Sequence, residues 1–208
     1  MSLTSVIPVQ HVPTGIDRLG FPTYGALPGG VPNPPNAFVE AQELAVVREL
    51  NARTAQNGDA STFTTYLGNE GGRGIWRDFA KQYRHTAGFA RGWIGTGMVY
   101  AAMGAASLRS RIASAGYARL HPFEVDPTIQ PIGSIRSKRS YPSRTASTAW
   151  AAATVLARLW PARAAEFGWW AEQVGMSRVH AGENFPSDVR MGAMLGVRAG
   201  VAAASLLN

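Results

Sequence analysis

SRVHAGENFPSDV, residues 177–189, is the most informative stretch of this sequence for the fold. It is a polar segment that joins two stretches of helical composition. Upstream, residues 161–176 begin with Pro161, and the first turn of a helix tolerates proline. Downstream, residues 187–207 have the composition of a final helix. Arginine is costly to bury without an anionic partner, so Arg178 indicates a polar pocket at this loop.

Two further segments carry similar polar residues. SYPSRTAS, residues 140–147, opens a helix that we expect to run to Leu159, and YARLHPF, residues 117–123, precedes it. Other helices are predicted over residues 37–53, after a cap at Asn36, and over 75–83 and 92–120 from their composition and apolar spacing. No segment shows the sustained alternation of a strand. We predict an all-α, single-domain bundle of six or so helices at 37–208, after an extended Pro/Gly-rich arm at 1–36.

Composition and charge exclude several kinds of protein and of chemistry. The chain has 208 residues, a net charge of +7 and no cysteine, which excludes disulfides and thiolate chemistry. The basic residues are scattered and accompany no nucleic-acid-binding motif. The start of the chain has no convincing signal peptide, and no long apolar run is present, so we expect a soluble, cytoplasmic protein without a membrane span. Four histidines at unhelpful spacings predict no metal site, and no cofactor is expected.

In their order and spacing, the three quoted segments resemble the signature of the type 2 phosphatidic acid phosphatase (PAP2)/vanadium haloperoxidase superfamily. Its motifs are Lys-x6-Arg-Pro, Pro-Ser-Gly-His and Ser-Arg-x5-His-x3-Asp, and the resemblance covers about residues 38–207. ELAVVRELNART, residues 43–54, is similar to the first helix of the soluble bacterial haloperoxidase-like members. The resemblance implies a helical bundle of the acid phosphatase/vanadium haloperoxidase type. It also implies a phosphate cradle with a histidine nucleophile, a histidine acid and an orienting aspartate.

Several positions depart from these motifs. Ser114 stands at the first-motif lysine, and His121 stands at the first-motif arginine. Arg144 and Thr145 replace the Gly-His of the second motif, and Asn184 stands at the nucleophile position. An amide neither attacks phosphorus usefully nor ligates vanadate as imidazole does, so we expect a degenerate phosphatase site.

Other residues are retained or are available for a rebuilt site. Ser143, Arg178 and Asp188 match the motifs, and Ser143 and Arg178 are predicted to bind an anion together with Arg144. We assign candidate catalytic roles to His121, His180, Asn184 and Asp188, because two imidazoles, an amide and a carboxylate are suited to moving protons on an organic anion.

Each assignment has a structural alternative. His121 is then a local hydrogen-bonding residue, and His180 is an exposed loop residue. Asn184 then ties the loop to a helix start, and Asp188 provides only a helix N-terminal charge. Arg178 then pairs with a carboxylate of its own chain, either Asp188 or Glu183.

Three functions therefore stay open. The first is a biosynthetic enzyme that uses cofactor-independent acid–base chemistry for isomerisation, rearrangement or cyclisation of a small anionic molecule. The second is an acid phosphatase with an altered nucleophile, such as His180, acting on phosphate monoesters. The third is a non-catalytic protein that binds an anion or a partner. The long arm and the adjacent Trp169 and Trp170 also suggest a homodimer, because neighbouring helical residues cannot share one face.

Overall fold

The computed structural model describes residues 30–135 and 137–207, together with the paired backbone segments Gly15–Ile16 and Pro22–Thr23. Those two segments, β1 and β2, pair antiparallel. Within the described residues the chain forms eight α-helices. They are α1 Ala37–Ala55, α2 Gly58–Glu70, α3 Gly74–Thr86, α4 Phe89–Ala115, α5 Pro122–Val125, α6 Arg144–Leu159, α7 Ala164–His180 and α8 Pro186–Ala204. Short 3-10 turns follow α6, at Pro161–Arg163, and α8, at Ser205–Leu207. The all-α prediction is confirmed.

Helix α6 lies at the centre of the bundle and packs against α4, α7 and α8. Its buried face is built largely from alanine, which lets neighbouring backbones approach closely. Gly192 and Gly196 of α8 contact α6 so closely that an added Cβ would overlap the carbonyls of Ser143 and Ser147. This contact sets the starts of α6 and α8 side by side, and the backbone N–H of Ser143 donates to the carbonyl of Asp188 at 2.9 Å.

Two helices were not expected from the sequence. Asn57 followed by glycine is typical of a turn, but here Asn57 caps α2 by accepting a hydrogen bond from the backbone N–H of Ala60 at 3.0 Å. The four-residue α5 begins at Pro122, in the proline-containing stretch between α4 and α6. Helix α4 ends at Ala115, short of the expected residue 120, and Gly116 caps its C-terminus.

The end of the predicted N-terminal arm is tied to the bundle. The hydroxyl of Tyr117 donates to the carbonyl of Val31 at 2.5 Å, and that of Tyr141 donates to Pro32 at 2.8 Å. Most of the arm, residues 1–29, lies outside the described residues apart from β1 and β2. The boundary between an arm and a helical domain at residue 36 therefore stays a prediction.

Helix α4 is the longest element, with 27 residues. It contains no Asp or Glu and carries three arginines, Arg91, Arg109 and Arg111. Small residues such as Gly97, Ala101 and Gly104 occupy its middle. In the described part of the chain, neither α4 nor any other helix combines the length and apolarity required to cross a bilayer.

Candidate functional site

The side chain of Asn184, at the nucleophile position, is held inside a closed set of hydrogen bonds. Its amide nitrogen donates to the carbonyl of Ser140 at 2.6 Å, and its amide oxygen accepts from the hydroxyl of Ser143 at 3.1 Å. Asn184 is 3% exposed and Ser143 is 2% exposed. This amide therefore ties the start of α6 to the loop between α7 and α8.

Arg178, the retained cradle arginine, pairs with a carboxylate of its own chain. Its Nη1 lies 2.7 Å from Oε2 of Glu183, five residues further on, and both side chains are almost completely buried. Its Nε donates to the hydroxyl of Ser177 at 3.1 Å, and its Nη2 donates to the carbonyl of Thr64 at 3.3 Å. Glu183 thus contacts the guanidinium that the resemblance assigns to a phosphate.

His121, at the first-motif arginine position, is 1% exposed and lies between two backbone carbonyls. Nδ1 is 2.5 Å from the carbonyl oxygen of Glu183, and Nε2 is 3.1 Å from that of Ser137. A neutral imidazole has one N–H and donates to one of these carbonyls, whereas the doubly protonated ring donates to both. The ring stacks on Phe123 with centroids 5.2 Å apart.

Asp188, the retained aspartate, has no histidine to orient and contacts other groups. Its carboxylate accepts hydrogen bonds from Nη1 of Arg119 at 2.6 Å, from the backbone N–H of Phe185 at 2.8 Å and from the hydroxyl of Ser140. Complete burial raises the pKa of the Asp188 carboxyl, against the opposing effect of Arg119 and Ser140.

Arg119 is buried beside Asp188, although the sequence analysis did not predict it as a site residue. Its guanidinium faces three carboxylates: Asp188, Glu40 at 2.9 Å and Glu43 at 3.3 Å. It also lies over the ring of Phe185, 3.9 Å from the centroid. Burial raises the pKa of Glu43 as well. Arg119 belongs to YARLHPF, residues 117–123, two positions before His121. Its partners on α1 and α8 are far away along the chain, so the sequence does not reveal its role.

His180 occupies a different position from the other candidates. Its Nδ1 lies 2.8 Å from the hydroxyl of Thr54, and its carbonyl accepts from the amide of Asn51, both on α1. Burial lowers the pKa of His180 to about 4. Among the described residues, the Nε2 atom has no hydrogen-bond partner. His180 therefore packs against α1, whereas His121, Asn184 and Glu183 meet at the loop before α8.

Two basic cavities meet at Arg144. The first, here called the Thr145 cavity, has a volume of about 580 Å³ and is lined by residues that include Gly68, Arg73, Tyr100, Arg144, Thr145 and Thr148. The second, here called the Ser114 cavity, has a volume of about 490 Å³ and is lined by Ser110, Arg111, Ser114, Ser137, Lys138, Arg139, Pro142 and Arg144. Neither lining includes an Asp or a Glu.

Helix α4 connects the two cavities along one side. Tyr100 and Ser107 line the Thr145 cavity, and Arg111 and Ser114 line the Ser114 cavity on the following turns. Arg144, which stands where the second motif has glycine, borders both. The side chain of Arg144 therefore borders two cavities that contain motif positions. One is lined by Ser114, at the first-motif lysine position, and the other by Thr145, at the second-motif histidine position.

Vanadate, the metal oxyanion of haloperoxidases, does not fit these residues. The ligating histidine position is occupied by Asn184, whose amide is hydrogen-bonded to Ser140 and Ser143. The described residues also contain no group of three or more His, Cys, Asp or Glu side chains that could hold a metal ion.

Two solved structures have a fold similar to that of this chain. The structure of a bacterial vanadium-dependent iodoperoxidase matches with a TM-score of 0.72 and 18% identity, over 86% of this chain and 53% of that one. Aquifex aeolicus LpxE matches with a TM-score of 0.64 and 20% identity, over 78% of this chain and 94% of that one. The chain thus spans about half the length of the iodoperoxidase. No curated protein sequence matches it.

The sequence itself also matches a family model. The match is to the PAP2 superfamily and covers residues 95–208, more than half of the chain. It includes all three segments quoted from the sequence, and the solved structures show the same helical fold. The chain belongs to the PAP2 superfamily.

Proposed function

We propose that this chain no longer transfers phosphoryl groups at the motif positions and instead binds a small anionic organic molecule in the two cavities that meet at Arg144. One observation carries the first half of the proposal. The Glu183 carboxylate contacts Arg178 at 2.7 Å, so a group of the protein itself already pairs with the guanidinium that the resemblance assigns to phosphate.

The chemistry of the remaining motif positions supports the loss of phosphoryl transfer. The nucleophile position carries the amide of Asn184, and the acid position carries the hydroxyl of Thr145. Neither group has the nucleophilicity or the acidity that these steps require near neutral pH. His180, the remaining candidate nucleophile, contacts Thr54 and Asn51 on α1 rather than the residues around Ser143.

The charge of the cavities supports an anionic ligand. Arg111, Lys138, Arg139 and Arg144 line the Ser114 cavity, and Arg73 joins Arg144 in the Thr145 cavity. Arg111 lies three residues before Ser114, so it projects from the same side of α4 as the lost first-motif lysine. Neighbouring residues thus supply cations near the positions where the motifs have lost them.

The division at Arg144 favours a ligand with two anionic groups. Arg144 borders both basic cavities, so one ligand that extends through both can place an anionic group in each. A short polycarboxylate or an organic diphosphate has this character. The volumes of the two cavities, about 580 and 490 Å³, are in the range of small-molecule sites.

A second candidate function is cofactor-independent acid–base chemistry on the bound anion, such as an isomerisation, rearrangement or cyclisation. It is favoured by the position of His121, whose Nε2 contacts the carbonyl of Ser137, a residue that lines the Ser114 cavity. The imidazole therefore lies directly behind the wall of an anion-binding space.

Titration calorimetry with citrate and with inorganic pyrophosphate, at low ionic strength, tests the binding proposal. We expect both probes to bind, and Arg144→Ala to weaken binding about tenfold or more, because a charge-assisted contact contributes roughly 1.5–3 kcal/mol. Arg53→Ala is the matched control, since Arg53 is an exposed arginine on α1. Absence of binding, or equal weakening by the two variants, would contradict the proposal.

A phosphatase assay tests the loss of phosphoryl transfer separately. With p-nitrophenyl phosphate, we expect the protein and its Arg178→Ala variant to show the same background turnover. Turnover above that of an unrelated protein purified in the same way would identify a surviving acid phosphatase. If a substrate for acid–base chemistry is found, His121→Gln should lower kcat while citrate binding persists.

A further inference from the structure

Helix α4 exposes an apolar surface, at one end of which the guanidinium of Arg84 lies 4.3 Å from the ring centroid of Trp93. Ile112 is 66% exposed, Ile94 is 59%, Leu108 is 57% and Trp93 is 52%. These four residues, here called the α4 face, lie along one side of the helix with Gly97, Ala101 and Ala105 between them. The opposite side of α4 packs on α3, α6 and α8. A contiguous exposed apolar surface often marks an interaction site, so this face is expected to have a partner.

The charges around the face identify the kind of partner. Helix α4 has no acidic residue, and Arg91 and Arg109 lie at one edge of its apolar stripe at helical spacing. Helix α8, which packs alongside, carries no acidic residue after Asp188 but contains Arg190 and Arg198. The charged residues of α4, and those of α8 after Asp188, are thus all arginines.

A groove at one end of the face adds a binding feature. It has a volume of about 580 Å³, and Arg109 and Arg198 lie at its lining with Ile112, Tyr117 and Leu195. Cationic groups beside an apolar floor suit a molecule with an anionic head and a hydrocarbon tail.

We propose that the α4 face docks the protein onto an anionic lipid surface. An exposed stripe with Trp and aliphatic residues on one side and arginines at its edges is the pattern of interfacial binding. Each arginine near such a surface adds to the attraction. A second copy of the chain fits less well, because a two-fold contact across this face would bring the arginines of both copies together without any carboxylate on α4 to compensate. The proposal is independent of the anion site around Arg144.

Flotation of the full-length protein with lipid vesicles tests the proposal. We expect binding to vesicles of phosphatidylcholine mixed with phosphatidylglycerol, little binding to pure phosphatidylcholine, and weaker binding as salt is raised. The pair Leu108→Gln and Ile112→Gln should weaken binding about tenfold, since less apolar surface is buried. Arg91→Gln and Arg109→Gln should each weaken it about fivefold.

Matched controls lie elsewhere on the surface. Phe38→Gln removes an exposed apolar residue of α1, and Arg53→Gln removes an exposed charge of the same helix. Both should bind vesicles as the unmodified protein does. Failure to bind anionic vesicles overturns the proposal, and so does unchanged binding by the Leu108→Gln, Ile112→Gln variant. It is also overturned if sedimentation velocity shows a dimer that this variant dissociates, because a second copy then covers the face.

Discussion

Oε2 of Glu183 lies 2.7 Å from Nη1 of Arg178, and the two side chains are 4% and 2% exposed. The carboxylate thus pairs with the guanidinium that the resemblance to the superfamily assigns to phosphate. A buried ion pair loses far more when one partner is removed than it contributes as a pair, because the remaining charge is left without compensation. We therefore expect substitutions in this pair to change both the stability of the protein and the access of anions to Arg178.

Glu183→Gln is expected to destabilise the protein by about 3 kcal/mol, since the Arg178 charge stays buried without its carboxylate. Added inorganic phosphate should then raise the melting temperature of the variant more than that of the unmodified protein, because an anion binds the folded state alone. Urea unfolding and thermal melting with and without phosphate measure both effects. An equal phosphate response in the two proteins would show that the guanidinium does not become available.

Arg119→Met should destabilise the protein by about 3–5 kcal/mol near neutral pH, because Glu43 and Asp188 lose their shared counter-charge. Burial raises the pKa of both carboxyls, so they are protonated in the folded state at a higher pH than in the unfolded chain. The loss of unfolding free energy caused by Arg119→Met should therefore become smaller as the pH falls. Urea unfolding across the acid range measures it, with Arg119→Lys as the variant that keeps the charge. A penalty that does not change with pH would contradict the electrostatic explanation.

His180→Gln should reduce the acid sensitivity of the fold. The pKa of His180 is lowered to about 4 by burial, whereas an unfolded histidine has a pKa of about 6.5. Below about pH 6.5 the unfolded chain binds a proton that the folded ring does not, so stability falls as the pH drops toward 4. The contribution is roughly 3 kcal/mol at the acid end. The unfolding free energy of the variant should vary less with pH over this range. The exposed His85→Gln is the control, and parallel pH profiles for the protein and its His180→Gln variant would refute the assignment.

Gly68→Ala should destabilise the protein by about 1–3 kcal/mol through overpacking. An added Cβ on Gly68 would overlap the guanidinium of Arg178, which Glu183 and Thr64 hold in place. Gly97→Ala is the matched control, because Gly97 is also within a helix but has no atom within 4 Å of an added Cβ. That substitution should stabilise α4 by up to about 1 kcal/mol. Thermal unfolding compares the two, and equal effects would mean that Arg178 can move away.

The sequence predicted the helical fold and the segments that form the site, because motif order and apolar spacing are local properties. The closeness of Asn184 to Ser143 follows from two of those segments, and the structure brings them together at 3.1 Å. The pairing of Arg178 with Glu183 was one of the alternatives that the sequence left open. It could not be selected, because a loop carboxylate and a bound anion satisfy an arginine equally well.

Other features depend on contacts between distant residues. Arg119 lies 76 positions from Glu43 and 69 positions from Asp188, and no local pattern joins them. Likewise, Arg111 and Arg144 border one cavity because α4 and α6 pack together. Helix α2 was missed for a local reason, since Asn57 followed by glycine is typical of a turn as well as of a helix cap.

The Glu183 carboxylate is a ligand that the chain carries on a tether of five residues. A tethered ligand competes at an effective concentration set by its linker, on the order of millimolar or more for a short one. An external oxyanion with the same intrinsic affinity for Arg178 has to exceed that concentration to displace the carboxylate from half of the molecules. We therefore expect the carboxylate to keep external oxyanions away from Arg178 below that concentration, and Glu183→Gln to remove this competition.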